Sequence, residues 1–158
     1  MDDLTQIVVD RLEQLRQDIV ANIEQKGITA SGRTQRSLQV QVYSGGVRLI
    51  AQAGERAPIP TLEIGRPGGR VPLNFTDIIF EWSKDKGLAW GDDKRRRKIA
   101  GAVAWGKIRR EGTHRHKQHE DVYSTLVAKA AEDLQEQVAK SVKEMIFGYI
   151  TNTITTNL

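Results

Sequence analysis

No cysteine occurs among the 158 residues. Disulfides and thiolate metal sites are therefore excluded, and with them a small stapled secreted scaffold. Aromatic residues are scarce at 6%, and apolar residues other than glycine make up 39%. A core this thin fits a small α+β fold, or a subunit that completes its burial in an oligomer. No apolar run approaches the roughly 20 residues needed to span a bilayer. The acidic start, MDDLTQ, leads into an amphipathic pattern rather than an apolar leader, so the expected setting is a reducing cytosol. Proline is rare too, and its four copies all fall between positions 58 and 72.

What is plentiful is charge, unevenly placed. Ten of the 24 Lys/Arg but only one of the 20 Asp/Glu lie in 94–117, so that segment carries +9 and the rest of the chain −5. One end or face is strongly basic on a mildly acidic body.

The spacing predicts a helix over about 3–26, because Leu4, Val8, Leu12, Leu15, Ile19 and Ile23 recur every three or four positions and Gly27 follows as a stop. Ser31 is placed to cap a short helical stretch ending near Leu38. Val40 and Val42 alternate with polar residues, Ser44-Gly45-Gly46 supplies a turn, and 47–53 reads as the returning strand of a hairpin. Regularity fails between 54 and 72, apart from a short helical turn expected at 61–64. Phe75, Ile78, Ile79 and Trp82 define one face of a helix that Gly87 ends. Asp92-Asp93 opens another, running to about residue 110, with Ile99, Ala102, Val103, Trp105 or Gly106, and Ile108 on its apolar side. From Asp121 a long helix follows, its stripe running from Val122 through Ala130 and Val138 to Met145 and Ile146. The expected organisation is one domain over 1–150 and a Thr/Asn-rich tail, 151–158, free or added as a strand to a neighbour.

Catalytic patterns are weak. No serine sits in a nucleophile elbow, and Glu55, Glu63 and Glu81 give no acid/base spacing. The stretch Gly65-Arg66-Pro67-Gly68-Gly69-Arg70 is rich in glycine and arginine, as an anion cradle would be, but it lacks the P-loop lysine and the strand–helix frame. His114, His116 and His119 do not converge on one helix face and sit among cations, so a solvated loop is expected rather than a metal site. The residues therefore point away from an enzyme and toward no cofactor and no metal. The run Lys94-Arg95-Arg96-Arg97-Lys98 asks for a partner. Phosphate backbone, an acidic face on a neighbouring subunit, or plain solvation remain open to it.

Several blocks in order resemble a bacteriophage family: the head–tail connector or tail-completion proteins, also described as neck or minor tail components, in the version found in phages of gut Bacteroidota. The blocks are Ile28-Thr29-Ala30-Ser31-Gly32-Arg33-Thr34 leading through Ser37-Leu38 into a strand, then Leu62-Glu63-Ile64-Gly65-Arg66-Pro67-Gly68-Gly69 with Val71-Pro72. Ile79-x-x-Trp82 with Lys86-Gly87-Leu88, and Ile108-x-x-Glu111-Gly112-Thr113, follow. They cover most of positions 4–126. The basic run, the His-rich loop and the Thr/Asn tail have no counterpart in that pattern.

The resemblance implies an α+β fold with helices packed on a small antiparallel sheet, assembling as a homo-oligomeric ring of six or twelve copies. Such a virion ring joins the portal or adaptor to the tail and surrounds the DNA channel. It has no membrane partner, and channel DNA is a further candidate contact. The candidate subunit-contact residues are Leu62, Glu63, Gly65, Arg66, Pro67, Gly68 and Gly69, then Arg95, Arg96 and Arg97. The rival reading is a free-standing nucleic-acid-binding protein that uses 94–117.

Overall fold

A computed structural model describes residues 3–28, 32–51, 63, 65, 67–113 and 120–156. It is helix-rich with one two-stranded antiparallel sheet, an α+β fold with long N- and C-terminal helices. Helix α1 spans Asp3–Gln25, close to the predicted bounds. Its end is built by Gly27 at φ 63: the Gly27 N–H donates to Glu24 O and the Ile28 N–H to Ile23 O, the paired bonds of a Schellman stop. Ile28 then packs into the same apolar cluster as Ile23.

A short helix α2, Arg33–Ser37, feeds strand β1, Leu38–Tyr43, which pairs with β2, Gly46–Ala51. The register sets Leu38 opposite Ala51 and Val40 opposite Leu49. With period two these share a face, and α1 lies across it. The cap of α2 is Gly32; Ser31 lies outside the described residues, as do positions 52 and 53 of the predicted return strand.

Helix α3, Phe75–Asp85, packs on α4, Asp93–Gly101. Without a break α4 becomes a π-helical stretch, Ala102–Ile108, and ends in a last α-turn, Arg109–Glu111. This rod keeps most of the predicted apolar side: Ile108 is buried, and Val103 and Trp105 pack against the same cluster. Ala102 is the exception, being exposed, while Ala100 and Ala104 are buried in its place. Residues four apart share a helix face, which sets Ala100, Ala104 and Ile108 together. Methyl side chains at Ala100 and Ala104 let α3 approach closely.

The last helix, α5, covers Ser124–Thr156 and runs antiparallel to α1. Asn22 donates to the carbonyls of Asp121 and Val122, and Arg11 pairs with Asp133 at 2.7 Å. Residues 151–156 continue the helix, so the predicted tail is helical through Thr156. Neither proline nor glycine interrupts that stretch, and Thr and Asn each cost a helix only a few tenths of a kcal/mol, about 0.7 at most.

Two apolar clusters result. One gathers Leu15, Ile19, Ile23, Leu38, Val122 and Ala130 from α1, the hairpin and α5. The other gathers Val71, Ile79, Phe80, Ala100, Ala104 and Ile108 from α3 and the rod. The two halves touch where the Lys86 ammonium donates to Gly27 O at 2.8 Å, a cation on the negative end of α1. No described helix is long and apolar enough to cross a membrane.

Candidate functional site

The candidate residues fall into two groups, and the structure keeps them apart. Gly68 and Gly69 lie against the C-terminal turn of the rod, with the Gly69 N–H donating to Arg109 O at 2.8 Å. Arg95, Arg96 and Arg97 sit at the opposite end, fourteen residues earlier and therefore roughly 20 Å away. Leu62 and Arg66 lie outside the described residues.

Within the first group, Pro67, Gly68 and Gly69 are exposed and Gly65 is buried. Glu63 is also buried, with 6% exposure, which corrects its placement on a contact surface. Its carboxylate accepts the backbone N–H of Tyr123 at 2.5 Å and of Ser124 at 2.8 Å. These are among the unsatisfied donors at the start of α5, so Glu63 caps that helix from sixty residues upstream in sequence. Burial pushes its carboxyl up, but the N–H bonds from Tyr123 and Ser124 outweigh this, and the net position is below the ordinary glutamate value. The same burial, with the Glu63 charge nearby, raises the Tyr123 phenol. The local signal for this role was faint: one acid between Leu62 and Ile64 in an otherwise apolar and Gly/Pro-rich segment.

Gly68 is held for space. A Cβ placed there would stand 2.5 Å from Arg110 O and 2.9 Å from its carbonyl carbon, both backbone atoms that cannot swing aside. Gly68→Ala is therefore expected to lift the loop off the rod and cost about 1–3 kcal/mol, as overpacking does. Chemical denaturation would measure the cost. Gly69→Ala, with nothing within 4 Å of the added carbon but a φ of 142, separates backbone strain from collision.

In the second group the five cations divide. Arg96 donates to Ser83 Oγ at 3.1 Å, and Arg97 binds the Asp77 carboxylate while its guanidinium lies 4.8 Å from the Phe80 ring centre. These two fasten the rod to α3, which moves them from contact candidates toward internal fastening. Lys94, Arg95 and Lys98 are exposed and make no ion pair among the described residues. The Asp92 carboxylate caps the helix by accepting the Arg95 N–H at 2.8 Å, and Asp93 follows it in the first turn, pairing with Lys84 at 3.5 Å. Two acids thus offset the dipole penalty of starting a helix with cations.

No group of three or more His, Cys, Asp or Glu among the described residues is placed to hold a metal. His114, His116 and His119 lie outside those residues.

A further surface lies at the end of α5. The pairings of Asn22 with 121–122 and Arg11 with Asp133 set Asp3 opposite about residue 141. The turns that follow run past the start of α1. There Met145, Ile146, Phe147 and Tyr149 are 47%, 54%, 59% and 75% exposed. The apolar stripe read from the sequence runs through Met145 and Ile146, and the structure leaves both exposed. A comparison of helix lengths, 23 residues for α1 against 33 for α5, carries the missing signal.

Comparison with family models, with curated proteins and with solved structures returns no match.

Proposed function

We propose that this chain is a non-enzymatic structural subunit of a phage virion, working as a homo-oligomeric ring at the head–tail junction around the DNA channel. The observation that carries the self-assembly is the exposed apolar side chains near the end of α5. Met145, Ile146, Phe147 and Tyr149 are all exposed near that helix end, with Met145, Ile146 and Tyr149 over one broad side and Phe147 on the other. Exposure of several large apolar side chains together is a feature of surfaces that take a partner. The family resemblance supplies the station in the virion, and the thin core fits a protein that completes its burial by association.

The mass of the purified chain in solution tests this, by light scattering and native mass spectrometry, together with particle images. Multiples of the chain mass, in closed rings, are expected. Met145→Ser with Phe147→Ser is expected to weaken association by at least 100-fold, since each removes about 1.5–3 kcal/mol of apolar burial. Both residues are exposed in the single chain, so its helix content should hold. A monomer at every concentration tried, or a double variant that associates like the parent, would overturn the reading.

A further inference from the structure

The exposed residues of α1 and α4 form two faces of opposite charge on one chain. The fully exposed positions of α1 carry Asp3, Asp10 and Glu24, with glutamines and an alanine between them and no cation. They run along one side of the helix over about 32 Å. Asp10 accepts the neutral Gln6 amide and pairs with no cation among the described residues. The first turns of α4 present Lys94, Arg95 and Lys98 to solvent, and three nearby acids are turned to other tasks: Asp92 to the helix cap, Asp93 to Lys84, and Asp77 to Arg97; Glu81 and Asp85 on α3 stay exposed. The acidic face belongs to the α1–hairpin–α5 cluster and the basic one to the α3–rod cluster.

We infer that the Lys94/Arg95/Lys98 face of one copy docks on the acidic face of α1 in the next, with Asp3 and Asp10 close enough together to share the cluster. This rests on the ring reading and names the surfaces it would use. The two faces are different patches of the same chain, so the contact is heterologous. Repeated with a closing rotation, a heterologous contact makes a ring. Lys94, Arg95 and Lys98 lie within five residues and make no ion pair among the described residues, and a complementary acidic surface offsets their mutual repulsion in the assembly. Nucleic acid is the other chemistry that suits cations, but three free cations neutralise only about three phosphates, where strongly salt-dependent duplex binding uses six to ten. Further along the rod Lys107 is exposed, Arg109 lies over Trp105 and Arg110 donates to Gly106 O, while Arg115 and Lys117 lie outside the described residues.

Charge reversal in two sets tests the docking. One variant carries Lys94→Glu, Arg95→Glu and Lys98→Glu; the other carries Asp3→Lys, Asp10→Lys and Glu24→Lys. Each alone is expected to associate about 100-fold more weakly than the parent, because like charges then meet across the contact. Mixed in equal amounts they should assemble again, with the two variants strictly alternating, since each junction then pairs opposite charges. Native mass spectrometry would show even-numbered species of mixed composition. The parent's association should also weaken as salt rises.

Either reversed set keeping the parent's mass, a mixture that stays dissociated, or association that strengthens with salt would overturn the docking. So would a cationic-set variant that keeps the assembly but loses salt-dependent binding to a DNA duplex. Neutral sets, Lys94→Gln with Arg95→Gln and Lys98→Gln, or Asp3→Asn with Asp10→Asn and Glu24→Gln, give intermediate weakening and keep the question readable if a reversed chain folds poorly. A parent that never associates removes the ring reading. A parent that associates while both reversed sets do so too removes only this contact.

Discussion

Replacing Glu63 by alanine is expected to cost about 2–4 kcal/mol, because two helix-end N–H groups lose a charged acceptor in a buried place. The donors are the Tyr123 and Ser124 amides, and the carboxylate that holds them is 6% exposed. Water cannot freely replace it there, so the loss includes stranding those donors. Glu63→Gln keeps an acceptor oxygen but not the charge, and about half of the loss is expected. The pH dependence follows from the lowered carboxyl. A group depressed on folding contributes stability that is fully present above its unfolded value and lost as pH falls through its folded value. The parent should therefore weaken from the ordinary glutamate range downward, and Glu63→Gln should show a shallower fall over the same window. Urea denaturation at a series of acidic pH values would measure both slopes. Equal slopes would remove Glu63 from the titration. If the alanine variant were as stable as the parent, the long-range cap would contribute nothing.

That cap also shows where reading the chain alone runs out. Local rules found α1 and α3 nearly to the residue, because each carries its own periodic stripe and its own glycine stop at Gly27 and Gly87. The hairpin was equally legible, since its alternation and its turn lie within about a dozen residues. Glu63 differs in kind: its partners stand sixty residues away, and nothing in the spacing of 61–69 signals them. The division among Arg95, Arg96 and Arg97 was hidden for a related reason. Five cations in a row look alike until α3 presents Ser83, Asp77 and Phe80 to two of them. On the rod, Ala100 and Ala104 are buried where the apolar stripe pointed to Ala102, because alanine suits either side and the packing of α3 decides which it takes. The uncovered end of α5 came from comparing two helices rather than from reading either. Each miss is a tertiary relation between segments, and each bears on the surfaces through which the chain is proposed to work.

Phe80→Ala should be the most damaging single change in the α3–rod half, with an expected loss of about 3–5 kcal/mol. Phe80 is 5% exposed in a cluster with Val71, Ile79, Ala100, Ala104 and Ile108. Two of its closest polar neighbours are cations: the Lys84 ammonium lies 4.3 Å and the Arg97 guanidinium 4.8 Å from its ring centre. Each such contact is worth about 0.5–1 kcal/mol at a partly exposed site. The ring therefore fills the cluster and seats a cation from each of the two helices. Phe80→Leu restores most of the volume but neither cation contact, so a loss of about 1–2 kcal/mol is expected from it. Hydrogen exchange locates the damage. With alanine, protection should fall across 75–111, where the chain depends on this cluster, and hold better in α1 and the hairpin, which have a cluster of their own. Uniform loss of protection would mean that the two clusters melt as one unit. Loss confined to 75–111 would mean that the basic face is carried on a half that can open while the α1–α5 half stays folded. In that case the Phe80→Ala chain should keep its α5 end competent to associate but lose the contacts that Lys94, Arg95 and Lys98 are inferred to make.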